Sequence, residues 1–368
     1  MKILCVHSSY NKDQNHRSAV DLWRISRPME ELAKHVDWQI DHQETFIKDI
    51  EEYKDAKEFT TFEMNQAFNH LKQYDIIFSS YHADPTAYSM LKVLADKSGT
   101  QFIMDVDDDM FSVNPDNPFW IKMTDESCYQ MQCMIRDNTW ISTTTERLAK
   151  VFRDLRKHPK DSVFINPNCI TDIYKQTPFK NDDIVIGYFG GSSHYSDLHD
   201  TGVAEALQKI MHENKNVRFK AVGMPMDSYL PRKRYEFVDG KRGDGWIKEI
   251  YPNLHMDIAI APLAENIFNN GKSNIKWQEA TRAGAALVCS NFGPYADLSD
   301  DICKKVDNNS ESWYIALKSL LNASERKKTL LAANKELENC KLENNWVKYK
   351  IMFEKVKEYK DASRAKQE

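Results

Sequence analysis

The stretch Asp257 to Leu298, DIAIAPLAENIFNNGKSNIKWQEATRAGAALVCSNFGPYADL, decides the fold. DIAIAPL is a short apolar run of strand type, and AENIFNNGKSN behind it is a polar loop. A helix opens near Asn274 and runs through IKWQEATRAG to Gly284, a residue suited to the turn after a helix. ALVCSN is the next strand. The loop delivers Gly271, Lys272 and Ser273 to the helix N-terminus, where free backbone amides, the positive end of the dipole and one lysine make an anion site. Glu279 lies one to two turns into the helix and can face the same loop. Phosphate at the loop with a hydroxyl-binding carboxylate beside it describes a nucleotide-sugar pocket.

Outward from this stretch the same alternation recurs. Toward the N-terminus, KILCVHSS (2–9), 37–41, YDIIFSSYHAD (74–84), TQFIMDVDDDMF, WISTTT (140–145) and DSVFINPN read as strands. Helices are expected over 28–34, 85–99 and ERLAKVFRDLR, with helix-type periodicity over 44–73. A second series runs from IVIGYFGGSSHYSDL through a helix at 202–213, the strand VRFKAVG, a loop rich in Arg and Lys, and a helix over DGWIKEIYPNL. Strands alternating with helices predict an open parallel α/β sheet wound on both faces, twice over, with ligands beyond the carboxyl ends of the strands. The polar, Pro-containing CITDIYKQTPFKNDD is the linker. The expected boundaries are an N-terminal domain 1–172, a C-terminal domain 173–340, and a helical tail 341–368. In the tail, Trp346, Tyr349, Ile351, Phe353 and Val356 form one apolar face that packs on a domain, crossing back to the first.

Composition sets outer limits. A chain of 368 residues exceeds one ordinary core, so two domains are expected. With 41% hydrophobic and 29% charged residues it reads as globular and soluble, and no apolar run approaches the roughly 20 residues of a membrane span. Seven cysteines, scattered and never in a C-x-x-C pair, argue against a disulfide frame or a zinc ribbon and for a reducing, cytoplasmic setting. A net charge of −5 provides no global field for nucleic acid. Local basic clusters at 153–160, 232–234 and 241–242 fit a solvated surface.

The candidate site residues fall on strand ends. Gly190, Gly191, Ser192 and Ser193 follow an apolar strand and precede a helix, the setting of a phosphate cradle, with a plain tight turn as the alternative. Lys272 is a flexible point charge suited to a diphosphate, and Lys276, one turn on, is a second phosphate contact or a solvated lysine. Trp277 reads as core. Asp105, Asp107, Asp108 and Asp109 resemble a D-x-D metal site, but alternate residues at a strand end point to opposite faces, so not all four converge. His82, with His7 and His16 on neighbouring loops, is the candidate base toward an acceptor hydroxyl, alongside Asp107 and Asp108.

Three of these segments resemble the GT-B glycosyltransferases, the nucleotide-sugar-dependent group 1 or family 4-like type of bacteria and phages. YDIIFSSYHAD…FIMDVDDDMF is similar to the group's fourth and fifth N-domain strands, and IVIGYFGGSSHYSDL to the first strand and glycine loop of its donor domain. DIAIAPL…KSNIKWQEATRAGAALVCSNFGPY is similar to the group's D-I-x-x-A-P-L … K-S-N-x-K-W-x-E … G-P-Y signature. The resemblance implies two Rossmann-like domains facing a cleft, with a UDP-linked or similar nucleotide sugar held mainly by the second. Glu279 would take the ribose hydroxyls, Lys272, Ser273 and Asn274 the diphosphate, and Gly190, Gly191 and Ser192 the approach to the phosphates. Tyr81 and His82 stand where related enzymes carry a functional histidine. Gly271 replaces a glutamate common in retaining members, and His194 alone stands where an Arg and a Lys usually follow the glycine loop. The implied reaction moves a hexose or pentose from the donor to an acceptor hydroxyl of an envelope glycan, a lipid or a hydroxymethylated base of phage DNA. No resident cofactor is called for, and a divalent cation is left open. A non-catalytic nucleotide-sugar-binding module and a GT-B epimerase are the alternatives.

Overall fold

The computed structural model of the chain describes residues 1–7, 10–11, 16–44, 61–80, 85–113, 115, 117, 120, 124–178, 182–191, 194–226, 230–241 and 243–365. They form two compact units, the first of residues 1–111, 125–167 and 345–368, the second of residues 112–124 and 168–344.

The first unit is built on six parallel strands: β1 (Lys2–His7), β2 (Gln39–Glu44), β3 (Ile76–Ser80), β4 (Gln101–Val106), β5 (Trp140–Thr143) and β6 (Val163–Ile165). Their order across the sheet is β2-β1-β3-β4-β5-β6. Ile3 to Val6 and Ile76 to Ser80 are buried without alternation, the pattern of strands covered by helices on both faces. Those helices are Thr61–Leu71, Pro85–Ser98, Asp125–Asp137 and Glu146–Leu155.

An earlier helix starts well before the expected residue 28. The Ser18 hydroxyl accepts the Asp21 amide at 3.0 Å and caps a helical run from 19 to 32, with a π turn at Leu22–Ser26. The run aims Arg24 into the sheet. Arg24 is fully buried, its Nε and Nη2 each donating to one Asp105 carboxylate oxygen at 2.8 Å and its Nη1 to the Asn166 carbonyl at 2.6 Å. Burial works against the guanidinium charge, and the Asp105 carboxylate more than offsets it, leaving Arg24 above its ordinary value. Asp105 is therefore a structural counter-ion, which removes it from the acid cluster that the sequence presents as a D-x-D pattern.

Residues 345–365 continue a helix that begins at Leu342 and belong to the first unit. Tyr349, Met352, Phe353 and Val356 are buried, with the Phe78 ring edge-on to Phe353 at 5.4 Å. Ile351, expected on this face, is 57% exposed, because the buried stripe steps from 349 to 352, 353 and 356.

The second unit repeats the architecture with strands β7 (Ile184–Phe189), β8 (Val217–Val222), β9 (Tyr235–Val238), β10 (Ile258–Ala261), β11 (Ala286–Ser290) and β12 (Lys304–Val306). All pair in parallel, in the order β9-β8-β7-β10-β11-β12. The outer strands β9 and β12 were not legible in the sequence, since YEFV and KKV are short and carry no buried apolar run. Trp277 and Trp313 are fully buried core residues. Among the described residues, no helix is long and apolar enough to cross a membrane.

The Arg24–Asp105 pair generates an expected outcome. Asp105→Ala leaves a buried guanidinium unpaired and should lower the unfolding free energy of the first unit by about 3–5 kcal/mol in denaturant titration. The double variant Arg24→Met with Asp105→Leu should recover much of that loss. A double variant as unstable as the single one would show that the pair is not the source.

Candidate functional site

In the second sheet the strand order reverses between β7 and β10, so chain leaving these two strands opens a crevice at their carboxyl ends. Gly190 and Gly191 follow β7 directly. The Gly190 amide donates to the Val222 carbonyl at 3.0 Å. A Cβ on Gly190 would lie 2.4 Å from the Tyr188 hydroxyl and 2.9 Å from Lys276 Nζ. Gly223, at the end of β8 with φ +85°, comes so close that its own Cβ would stand 2.5 Å from the Gly190 carbonyl oxygen. A Cβ on Gly240, beyond β9, would meet the Gly223 Cα at 2.9 Å. Three strand ends thus approach one another at distances that no side chain permits.

The chain after β10 is fixed by a buried carboxylate. Asp197, on the short helix Tyr195–His199, is 1% exposed. It accepts from the Ala264 amide at 2.8 Å, from Asn269 Nδ2 at 2.8 Å and from His194 Nδ1 at 2.6 Å. Burial acts to raise Asp197, but the His194 bond and the Ala264 amide outweigh it and hold the group below its ordinary value. His194 is lowered to about 4, by burial first and then by the charge of Lys276. Facing a carboxylate, Nδ1 is the donor of this bond.

Asn266 caps the turn Ile267–Asn270, its Oδ1 accepting the Asn269 amide at 2.8 Å, and Gly271 follows in right-handed helical conformation. Lys272 places Nζ over the Phe268 ring, 4.2 Å from the centroid. Ser273 Oγ accepts from Asn168 Nδ2 at 2.9 Å. Asn274 precedes the helix Ile275–Arg282 and uses its Oδ1 to accept from Gln278 Nε2 at 3.0 Å, while Gln278 Oε1 accepts the Ile170 amide at 2.9 Å. Ser273 and Asn274 are thus tied into the frame that holds this loop.

Two charged residues stand one turn apart on that helix. Lys276 is half-buried, with Nζ 4.7 Å from the Tyr188 ring centroid and 3.5 Å from its hydroxyl, and desolvation brings it down to about 8. Glu279 is 7% exposed and accepts from Trp246 Nε1 at 2.9 Å. Burial pushes its carboxyl up to about 7, against the Trp246 bond and the Lys276 charge. Trp246 opens a π turn, Trp246–Ile250, and packs on Phe189 at 5.7 Å and Tyr251 at 6.0 Å between centroids. The Tyr251 hydroxyl donates to the Glu279 carbonyl at 2.9 Å.

The expected residues Gly190, Gly191, Lys272, Ser273, Asn274 and Glu279 therefore lie around one switch point. Ser192 and His82 lie outside the described residues. Asp107 and Asp108 are half-buried, follow β4, and belong to the first unit rather than to this site. Asp109 is buried, its Oδ1 accepting the Phe111 amide at 3.2 Å. Among the described residues, no group of three His, Cys, Asp or Glu is arranged to hold a metal ion.

Sequence reasoning missed Asp197, Asn269 and Trp246. The His194–Asp197 spacing of three on a helical start was a readable signal for the first. Nothing in the sequence marked Trp246 apart from its place in an expected helix. In the first unit it also missed Asp21, fully buried, which accepts from Ser80 Oγ at 2.7 Å at the end of β3. Asp21 lies 3.8 Å from His7 Nδ1 at the end of β1, and His7 Nε2 is 3.0 Å from His42 Nδ1.

No protein-family model matches the sequence, and no curated protein matches it. Solved structures do. Anabaena HepE in complex with UDP-glucose superposes with a TM-score of 0.61 at 11% identity, over 98% of this chain and 100% of that one. A glycosyltransferase from Rickettsia africae gives a TM-score of 0.62 at 14% identity, over 96% and 98% of the two chains. The sucrose-phosphate synthase from Thermosynechococcus elongatus gives 0.64 at 11% identity, over 99% and 100%. These likenesses show the fold, which is the GT-B glycosyltransferase fold.

The raised Glu279 carboxyl has a stability consequence. Its folded value lies above the ordinary 4.5, so the folded state holds a proton that the unfolded state has lost. The stability contributed by this group is greatest below about pH 4.5 and is lost as pH rises through about 7, by about 3 kcal/mol at most. Glu279→Gln removes the charge and keeps an acceptor for Trp246. Its melting temperature should exceed that of the wild type at pH 8, and the difference should close toward pH 5. A pH-independent difference would contradict the assigned desolvation.

Proposed function

We propose that the chain is a glycosyltransferase that takes a sugar from a UDP-linked donor and places it on an acceptor hydroxyl. One observation carries this reading: Lys276 and Glu279 stand one turn apart on the helix that starts at the switch point, with Lys276 against the Gly190 loop. A cation and close-packed glycine backbone suit a diphosphate. A buried carboxylate with one oxygen on Trp246 has the other free to accept from a ribose hydroxyl. HepE was solved with UDP-glucose, and its architecture supports the same ligand class here.

Within this reading each residue has a task. The Gly190–Gly191 loop, with Ser192, admits the phosphates to backbone contact. Lys272, Ser273 and Asn274 line the opening of the helix, whose dipole favours an anion. As the glycosidic bond breaks, negative charge gathers on the leaving diphosphate, and fixed cations and amides stabilise it without reorganising. Glu279 orients the nucleoside, so the sugar's anomeric carbon is set by the rigid distance between ribose and phosphate anchors. His82, Asp107 and Asp108 are assigned to the acceptor side, His82 as the base that takes the hydroxyl proton.

Purified chain titrated with UDP-glucose, UDP-galactose and UDP-N-acetylglucosamine should be stabilised by one of them, by about 2.7 kcal/mol at a hundred times its Kd. The same donor should slowly release UDP in water. Glu279→Ala should lower kcat/KM for that release by about ten- to a hundredfold. Absence of stabilisation by every nucleotide sugar would overturn the reading.

A further inference from the structure

The first sheet has a switch point of its own, between β1 and β3, where the strand order reverses. His7 closes β1 there and is fully buried, and Ser80 closes β3. His7 Nε2 stands 3.0 Å from His42 Nδ1, on the adjacent strand β2. The two ring planes differ by 16° and the centroids are 5.2 Å apart. With so short a distance between the nitrogens, the rings meet end to end in nearly one plane. The in-plane axis of each nitrogen, which carries its proton or its lone pair, therefore points at the other.

The far side of His7 is unusual. Its Nδ1 is buried and makes no hydrogen bond, yet the Asp21 carboxylate lies 3.8 Å away, beyond hydrogen-bond reach. Asp21 is itself fully buried and held from both sides, Ser80 Oγ donating to Oδ1 at 2.7 Å and Ser18 Oγ to Oδ2 at 2.9 Å. With its proton on Nε2, His7 turns a lone pair toward this anion. With the proton on Nδ1, it offers Asp21 a donor and turns the Nε2 lone pair toward His42. A cation held at Nε2 secures the second form and strengthens Nδ1–H as a donor to Asp21. Carboxylate, histidine and metal in a row have this order, the carboxylate fixing ring and tautomer from outside. His42 is exposed, so an ion reaches the pair from solvent. Both imidazoles stand on paired strands, a rigid support for ligands.

We infer that His7 Nε2 and His42 Nδ1 together bind a divalent transition-metal ion, with Asp21 as the outer partner of His7. Imidazole donors select zinc, nickel or copper over magnesium or calcium. Two protein nitrogens leave the other positions to water, so the ion is held less tightly than in a closed structural zinc site. Bound there, it clips β2 to β1. The site uses none of the residues assigned to sugar transfer and stands or falls without that reading.

Titration calorimetry of the full chain with ZnCl2, NiCl2 and MgCl2 tests it. Wild type should bind one zinc or nickel ion saturably and no magnesium at the same concentrations. His42→Ala should weaken that binding by at least about tenfold, and Asp21→Asn by about ten- to a hundredfold. His212→Ala, on the helix Val203–Glu213 of the second unit, is the control and should bind as wild type does. Cobalt added in place of zinc should give visible absorption bands that His42→Ala loses. Should His42→Ala not fold, His42→Gln makes the same comparison. Wild type that binds neither zinc nor nickel overturns the inference. Binding or cobalt bands unchanged in the His42 variant overturn it as well, since the ion would then sit elsewhere. Undiminished affinity in Asp21→Asn removes Asp21 from the site and leaves the two histidines.

Discussion

The Asp197 carboxylate holds the second unit's candidate site in place. It is almost wholly removed from water, and a charge so placed must find its solvation in the protein. It finds it in three donors that belong to three different segments: the start of its own helix, the chain leaving β10, and the turn before Lys272. Satisfying one anion therefore fixes the relative position of the glycine loop and the lysine loop. The same bond fixes the orientation of the His194 ring. The arrangement is preorganised, because the dipoles that a ligand would meet are already set by a buried charge that cannot relax.

The first unit uses the same device with different partners. Arg24 delivers both of its terminal donors and its Nε to Asp105 and Asn166, so a helix that opens at Ser18 is locked across β4 and the end of β6. Asp21, one turn earlier, draws in Ser80 from the end of β3. In both units buried carboxylates sit at the carboxyl ends of parallel strands. There, backbone leaves the sheet and loses its ladder partners, and side chains must take over.

Much of this was legible from the chain alone, for a physical reason. Strands buried on both faces, such as ILCV at 3–6 and IAIA at 258–261, leave continuous apolar runs. Helices between them leave a period of 3.6. Edge strands such as YEFV carry neither signal. That Gly190, Lys272 and Glu279 gather at one switch point could be read in advance because each stands at a fixed place in a strand–loop–helix unit. Asp105 could not be read correctly: among four aspartates in five positions, which one turns inward depends on an arginine 81 residues away. Trp246 and Asn269 act through contacts made across the fold, and no local pattern announces them.

The three glycines at 190, 223 and 240 have a bearing on how such a site can change over generations. A side chain at Gly240 would meet the Gly223 backbone and one at Gly223 the Gly190 carbonyl, obstacles that no rotamer change relieves, whereas one at Gly190 would meet the ends of Tyr188 and Lys276. The backbone where these strand ends meet is in effect frozen. Variation at the switch point has to be drawn from side chains such as Trp246 and Phe189, which pack on each other and can be exchanged. Backbone and side chains at the switch point are thereby inherited as separate traits, one closed and the other open to drift and selection.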